Sequence, residues 1–148
     1  MNPNEITALT QRGYELFGRG DFPALLDLCA DDIEWVMPEI EGVPYAGTWS
    51  GKEGLMQFFA AFDAAIRTTR FEPREMIAQG DKVIVLGYFA GEAKPTGRTF
   101  ENEWVNIHTY NQDGKLARFQ QFTNTTVTQA AFSPVAAQSQ STQAPMHH

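Results

Sequence analysis

The chain changes its hydrophobic period once, near Arg67. Before that point apolar residues recur every three or four positions. After it they alternate, through "RFEPREMIAQ", "KVIVLGYFAGEA", "RTFENEWVNIHTY" and "KLARFQQFTNT". The turns "GD", "KPTG" and "NQDG" join these stretches as successive strands. Helices followed by an antiparallel meander predict an α+β fold, because a curled sheet needs the apolar faces of the helices against one of its own. Such a sheet, closed by helices on one side, leaves a cone with an open mouth, a natural small-molecule cavity.

Three segments carry the helical period. "NPNEITALTQRGYELFG" opens with Asn2, Pro3 and Glu5 at capping-box spacing. "GDFPALLDLCADD" takes Asp21 as its N-cap and gives a short second helix. "SGKEGLMQFFAAFDAAI" offers Ser50 and Glu53 as another capping box and aligns Leu55, Phe58, Phe59, Phe62 and Ile66 in a wide apolar stripe. "IEWVMP" (Ile33 to Pro38) reads as a short strand, followed by a loop from Glu39 to Trp49. Pro73 fits only an edge strand or a bulge. Residues 1–132 form one domain on this reading. Residues 133–148 are polar and of low complexity, so a disordered tail is expected there, with no function resting on His147 or His148.

In "ENEWVNIHTY" one alternate row holds Trp104, Asn106, His108 and Tyr110, and the other holds Val105, Ile107 and Thr109. If the first row faces inward, an amide, an imidazole and a phenol are buried beside an indole. Interiors seldom tolerate such groups without partners, so the row reads as the floor of a pocket.

A net charge of -7 with no Lys/Arg run argues against nucleic acid or an anionic membrane as the main partner. At 148 residues the chain supports one well-formed core. Cys29 is the sole cysteine, so no intramolecular disulfide forms, and it reads as a small buried hydrophobe. The N-terminus shows no basic head or apolar signal core, and no run approaches the ~18 apolar residues that span a bilayer. A cytoplasmic protein is expected.

"FGRGDFPALLDLCADDIEWVMP", "YAGTWSGKEGLMQFF", "ENEWVNIHTY" and "DGKLARFQQFTNT", in that order, carry a resemblance over roughly residues 4–128. The chain resembles the nuclear-transport-factor-2-like superfamily, in particular its SnoaL-like (polyketide cyclase-like) and ketosteroid-isomerase-like branches. The resemblance implies a cone-shaped roll of curled sheet on three N-terminal helices. It also implies a homodimer packed through the outer face of the sheet. The superfold hosts isomerases, cyclases, dehydratases, epoxide hydrolases and non-catalytic binders.

Its register turns Trp35, Met37, Val85, Gly87, Phe89, Trp104, Asn106, His108, Tyr110, Phe119, Gln121 and Thr123 inward. Gly13, Phe17, Phe59 and Phe62 close the helical side. The steroid isomerases' Tyr, Asp base and second acid fall on Gly13, Met37 and Asn106, and Tyr14 lies one residue late, about 100° round the helix. The Asp-Arg-Asp set of limonene epoxide hydrolase falls on Gly87, Phe89 and Gln121. SnoaL-like cyclases use a late-strand acid where this chain has amides or imidazole, and Asn124 stands where relatives often carry Asp.

No inward carboxylate remains, since Glu34, Glu101 and Glu103 have the opposite parity. His108 is then the one inward group expected to titrate near neutral pH and the expected acid or base, with Asn106 and Gln121 polarising a carbonyl. The competing reading of His108 is an interior histidine paired with Tyr110, Gln121 or a water. Tyr14 reads as a helix-flank residue, with a ligand-facing donor as the alternative. Trp35, Met37, Phe59, Phe62, Phe89, Trp104, Tyr110 and Phe119 would wall a small apolar ligand. No metal site or cofactor is implied, because His108 has no second ligand at metal-binding spacing. An isomerase- or cyclase-type enzyme and a non-catalytic carrier both remain open.

Overall fold

The computed structural model describes residues 2–134, and the expected tail from 135 onward lies outside them. The chain runs α1 (Pro3–Gly18), α2 (Phe22–Asp27), β1 (Cys29–Val36), β2 (Thr48–Ser50) and α3 (Gly51–Ala65). It continues through β3 (Ile66–Gln79), β4 (Lys82–Ala93), β5 (Arg98–Tyr110), β6 (Leu116–Thr123) and α4 (Thr125–Phe132). Among the described residues no helix is long and apolar enough to cross a membrane.

The six strands form one sheet in the order β2-β1-β6-β5-β4-β3. β3 to β6 make the antiparallel meander expected from the alternation, and β1 joins it parallel to β6. Register shifts bend β3 at Thr68/Arg70 and at Pro73/Glu75. Pro73 therefore sits beside a bulge on an edge strand, where its missing N–H costs little.

Capping differs between the first and third helices. Asn2 and Glu5 close a reciprocal capping box at 2.8 and 3.0 Å. Ser50 makes no such bond at α3, because its Oγ donates to Glu34 Oε2 across the β1–β2 pair instead. The second helix is shorter than expected. It stops at Asp27, and Cys29 to Asp32 are already strand, since Ile33 and Trp35 must point into the core beside Phe119. The loop after Pro38 contains the short edge strand β2, and α3 ends at Ala65, with Ile66 opening β3. α4 has no counterpart in the sequence reading. Asn124 caps it by accepting from the N–H groups of Thr126 and Val127.

The core is largely aromatic. Phe59 is 2% exposed and stacks on Phe22 with centroids 4.4 Å apart. Trp35 stacks on Phe119 at 3.7 Å. Burying such side chains contributes about 1.5–3 kcal/mol each, before the entropy of ordering them.

Candidate functional site

The inner face of the sheet and the helices over it enclose a cavity of about 110 Å³. At roughly 10–15 Å³ per enclosed water, it has room for several waters, or for a molecule of one or two rings. Where β1 leaves β6 after the Val36–Gln120 pair, a second, more open pocket adjoins it. The two share Met37, Gln121 and Thr123.

The alternation in β5 sets the floor. Asn102, Trp104, Asn106, His108 and Tyr110 are all buried and line the cavity, while Glu101 and Glu103 are exposed. Trp104 lies over Gly87 on the neighbouring strand and stacks on Phe71, with centroids 5.2 Å apart. Gly13, Tyr14, Phe17, Trp35, Met37, Phe62, Phe89, Phe119 and Gln121 also line the cavity. Phe59 does not. It is packed behind the wall against Phe17, Phe22 and Phe58, so its place among the ligand-facing residues is corrected to core.

Tyr14 is not a helix-flank residue. Its ring stacks on Trp104, and its Oη sits 2.8 Å from His108 Nε2 and 2.9 Å from Asn106 Nδ2. Asn106 Nδ2 donates to Tyr14 Oη, and the Tyr14–His108 bond runs in the direction set by the ring tautomer, because the phenol can give its proton to a bare Nε2 or accept one from Nε2–H. Tyr14 is thus the partner of His108; Tyr110 bonds Thr10 at 2.7 Å instead. Asn106 Oδ1, His108 Nδ1 and Trp104 Nε1 are sealed by neighbouring atoms and have no partner among the described residues.

Burial, with no carboxylate beside the ring to offset it, pushes the His108 pKa down from 6.5 to about 3. This corrects the expectation of a group titrating near neutrality: His108 is neutral and hydrogen-bonded to Tyr14. Desolvation pushes the Tyr14 phenol well above its usual range, only partly opposed by the bond from Asn106. Burial likewise pushes the Tyr110 phenol up to about 12. At neutral pH this end of the cavity holds no net charge.

The sequence reading missed several lining residues, among them Phe71, Asn102, Tyr45 and Thr128. Asn102 shares the parity of Trp104 and was legible on that ground. Tyr45 comes from an irregular loop and Thr128 from α4, where no period in the sequence points to a cavity.

The sequence profile of the SnoaL-like domain matches residues 10–119. This chain belongs to the SnoaL-like family. An NTF2-like protein from Burkholderia xenovorans is 32% identical and superposes with a TM-score of 0.82, over 90% of this SnoaL-like chain and 99% of that one. A second, from Burkholderia thailandensis, is 27% identical with a TM-score of 0.77, over 90% of this chain and 100% of that one. TerC, crystallised with polyporic acid, is 27% identical with a TM-score of 0.73, over 86% of this chain and 98% of that one. No curated protein sequence matches the chain. The SnoaL-like cone fold is therefore shared with these structures, and the cavity lies between its sheet and its helices.

Proposed function

We propose that the chain binds a small, mostly apolar, uncharged molecule bearing one or two oxygen functions, without acid–base chemistry at neutral pH. The observation that carries this reading is the composition of the wall. Among the described residues that line the cavity there is no Asp, Glu, Lys or Arg, and its imidazole is held neutral. An ionic ligand entering such a site would lose its hydration with no counter-charge to replace it. A neutral aromatic one would gain contact with Trp104, Phe71, Phe89 and Phe119. A relative that crystallises with polyporic acid supports a small organic ligand.

A second reading is an isomerase- or cyclase-type enzyme, as the family's range allows. Its support is Tyr14 Oη, held between Asn106 and His108 at the cavity floor. A substrate carbonyl that replaced His108 as the partner of Tyr14 would accept from this phenol and meet no charged acid or base.

The test of the first reading is a matched pair of probes, 2-naphthol and naphthalene-2-carboxylate, followed at pH 7 by tryptophan fluorescence and thermal unfolding. The naphthol is expected to bind and raise Tm, and the carboxylate to do neither. Equal binding of both would sink the uncharged-ligand reading.

We also propose that the outer face of the sheet pairs with a second copy. Leu86, Val105 and Phe122 lie side by side across β4, β5 and β6, with Ile84 and Ile107 in the adjoining row. Phe122 is 49% exposed and Ile77 46%. The same face carries Arg70, Arg74 and Arg118 with Glu72, Glu75 and Glu103, so two copies about a twofold axis can set opposite charges together. Light scattering after size exclusion is expected to show a dimer, and Phe122→Glu a monomer. A monomeric parent protein would remove the proposal.

A further inference from the structure

We infer that the cavity reads a two-ended ligand, with Asn102 and Gln121 as specificity-determining contacts at opposite ends of an aromatic midsection. The inference rests on the ligand-binding reading above. The polar cluster of Tyr14, Asn106 and His108 is occupied with itself, and its spare atoms are sealed. The free polar atoms of the sheet's inner face lie elsewhere. The Gln121 amide makes no hydrogen bond among the described residues, lines the cavity, and is absent from the sealed atoms. It offers both a donor and an acceptor.

Asn102 is 9% exposed. Its Nδ2 donates to Asn124 O at 3.2 Å and to Thr128 Oγ1 at 3.0 Å, which uses both amide hydrogens. Its Oδ1 has no partner among the described residues and, unlike the Asn106 oxygen, is not sealed. Asn102 therefore presents only an acceptor. Because Asn102 Nδ2 donates to the Asn124 carbonyl, which can only accept, the side chain cannot flip to present a donor without losing that bond.

Gln121 pairs with Asn106 across β5 and β6. Asn102 lies four residues before Asn106 on β5, about 13 Å along the strand. Trp104 fills the interval, with Phe71 stacked on it. A matching ligand carries a hydroxyl that donates to Asn102 Oδ1, an aromatic centre against Trp104, and at the far end an oxygen of either polarity for Gln121.

The probes are 4,4′-dihydroxybiphenyl, biphenyl-4-ol and 4-hydroxy-4′-methoxybiphenyl, titrated against the whole chain by calorimetry. The diol and the methyl ether are each expected to bind about tenfold more tightly than biphenyl-4-ol, the size of one well-made buried hydrogen bond. The methyl ether keeps that gain, since its hydroxyl donates to Asn102 Oδ1 while its ether oxygen accepts from the Gln121 amide. Gln121→Leu and Asn102→Leu are each expected to reduce the diol's advantage to about twofold or less. Gln121→Leu loses no protein hydrogen bond, so it carries the test even if Asn102→Leu fails to fold. Thr128→Val loosens the same tie to α4 but spares the acceptor, and the advantage is expected to persist. Equal binding of diol and mono-ol by the parent protein overturns this inference alone, as does an advantage that survives both Leu variants. Failure of all three probes to bind overturns it together with the ligand-binding reading.

Discussion

Gly87→Ala is expected to destabilise the protein by about 3 kcal/mol and to displace the central wall of the cavity. A Cβ built at Gly87 lies 2.1 Å from Trp104 Cζ2, 2.3 Å from Cη2 and 2.5 Å from Cε2. These distances are far inside contact, and the atoms met are a rigid indole rather than a flexible chain end. The indole cannot retreat easily, because Tyr14 and Phe71 stack on it at 5.9 and 5.2 Å. Gly87 is in the middle of β4, and its φ is not positive. Glycine is needed there for the space above its Cα, not for backbone freedom. Urea unfolding of the parent, Gly87→Ala, Trp104→Leu and the double variant measures the coupling. In the double variant the alanine should cost well under half of its cost in the parent background. A loss below about 0.5 kcal/mol for Gly87→Ala alone would show that Trp104 does not rest on this glycine.

The second large effect is acid sensitivity from His108. The folded protein holds this imidazole neutral down to about pH 3, while the unfolded chain protonates it near pH 6.5. Between those values the unfolded state binds the extra proton, so falling pH favours unfolding. The contribution is fully present above about pH 6.5 and is lost as pH falls towards 3, with a slope of up to about 1.4 kcal/mol per pH unit. His108→Gln can keep a polar contact with Tyr14 and has no such titration. Denaturant unfolding at pH 7, 5.5 and 4 should show the parent losing stability faster than the variant. Carboxylates common to both proteins cancel in that difference. Parallel curves would mean that His108 charges freely in the folded state, and would return it to the role of a proton carrier.

Much of the site was legible because a strand's side chains alternate. The spacing of Trp104, Asn106, His108 and Tyr110 assigned them to one face, and the structure buries all four. The same argument reached Glu101 and Glu103 on the outer side, and with them the absence of an inward acid. Helical spacing was less decisive. Tyr14 lies about 100° from Gly13 on α1, yet both line the cavity, because the wide floor of the cone faces more than one row of the helix. Phe59 and Phe62 share the apolar stripe of α3, but Phe59 meets Phe22 while Phe62 reaches the cavity. The stripe says which side of the helix is buried and not what it is buried against.

Sequence by itself determined the order of α1 to α3, β1 and the β3–β6 meander, the inward row of β5 and the absence of a carboxylate from its floor. Each follows from local periodicity or from residue type, which need no long-range contact. Tertiary structure decided the rest. It joined Tyr14 to His108 across 94 positions of chain, and it packed α4 against the sheet so that Asn102 keeps only an acceptor to offer. It also moved the His108 pKa away from neutrality. The charge state of an imidazole depends on the dielectric and the partners around it, and those are set by which distant segments fold over it.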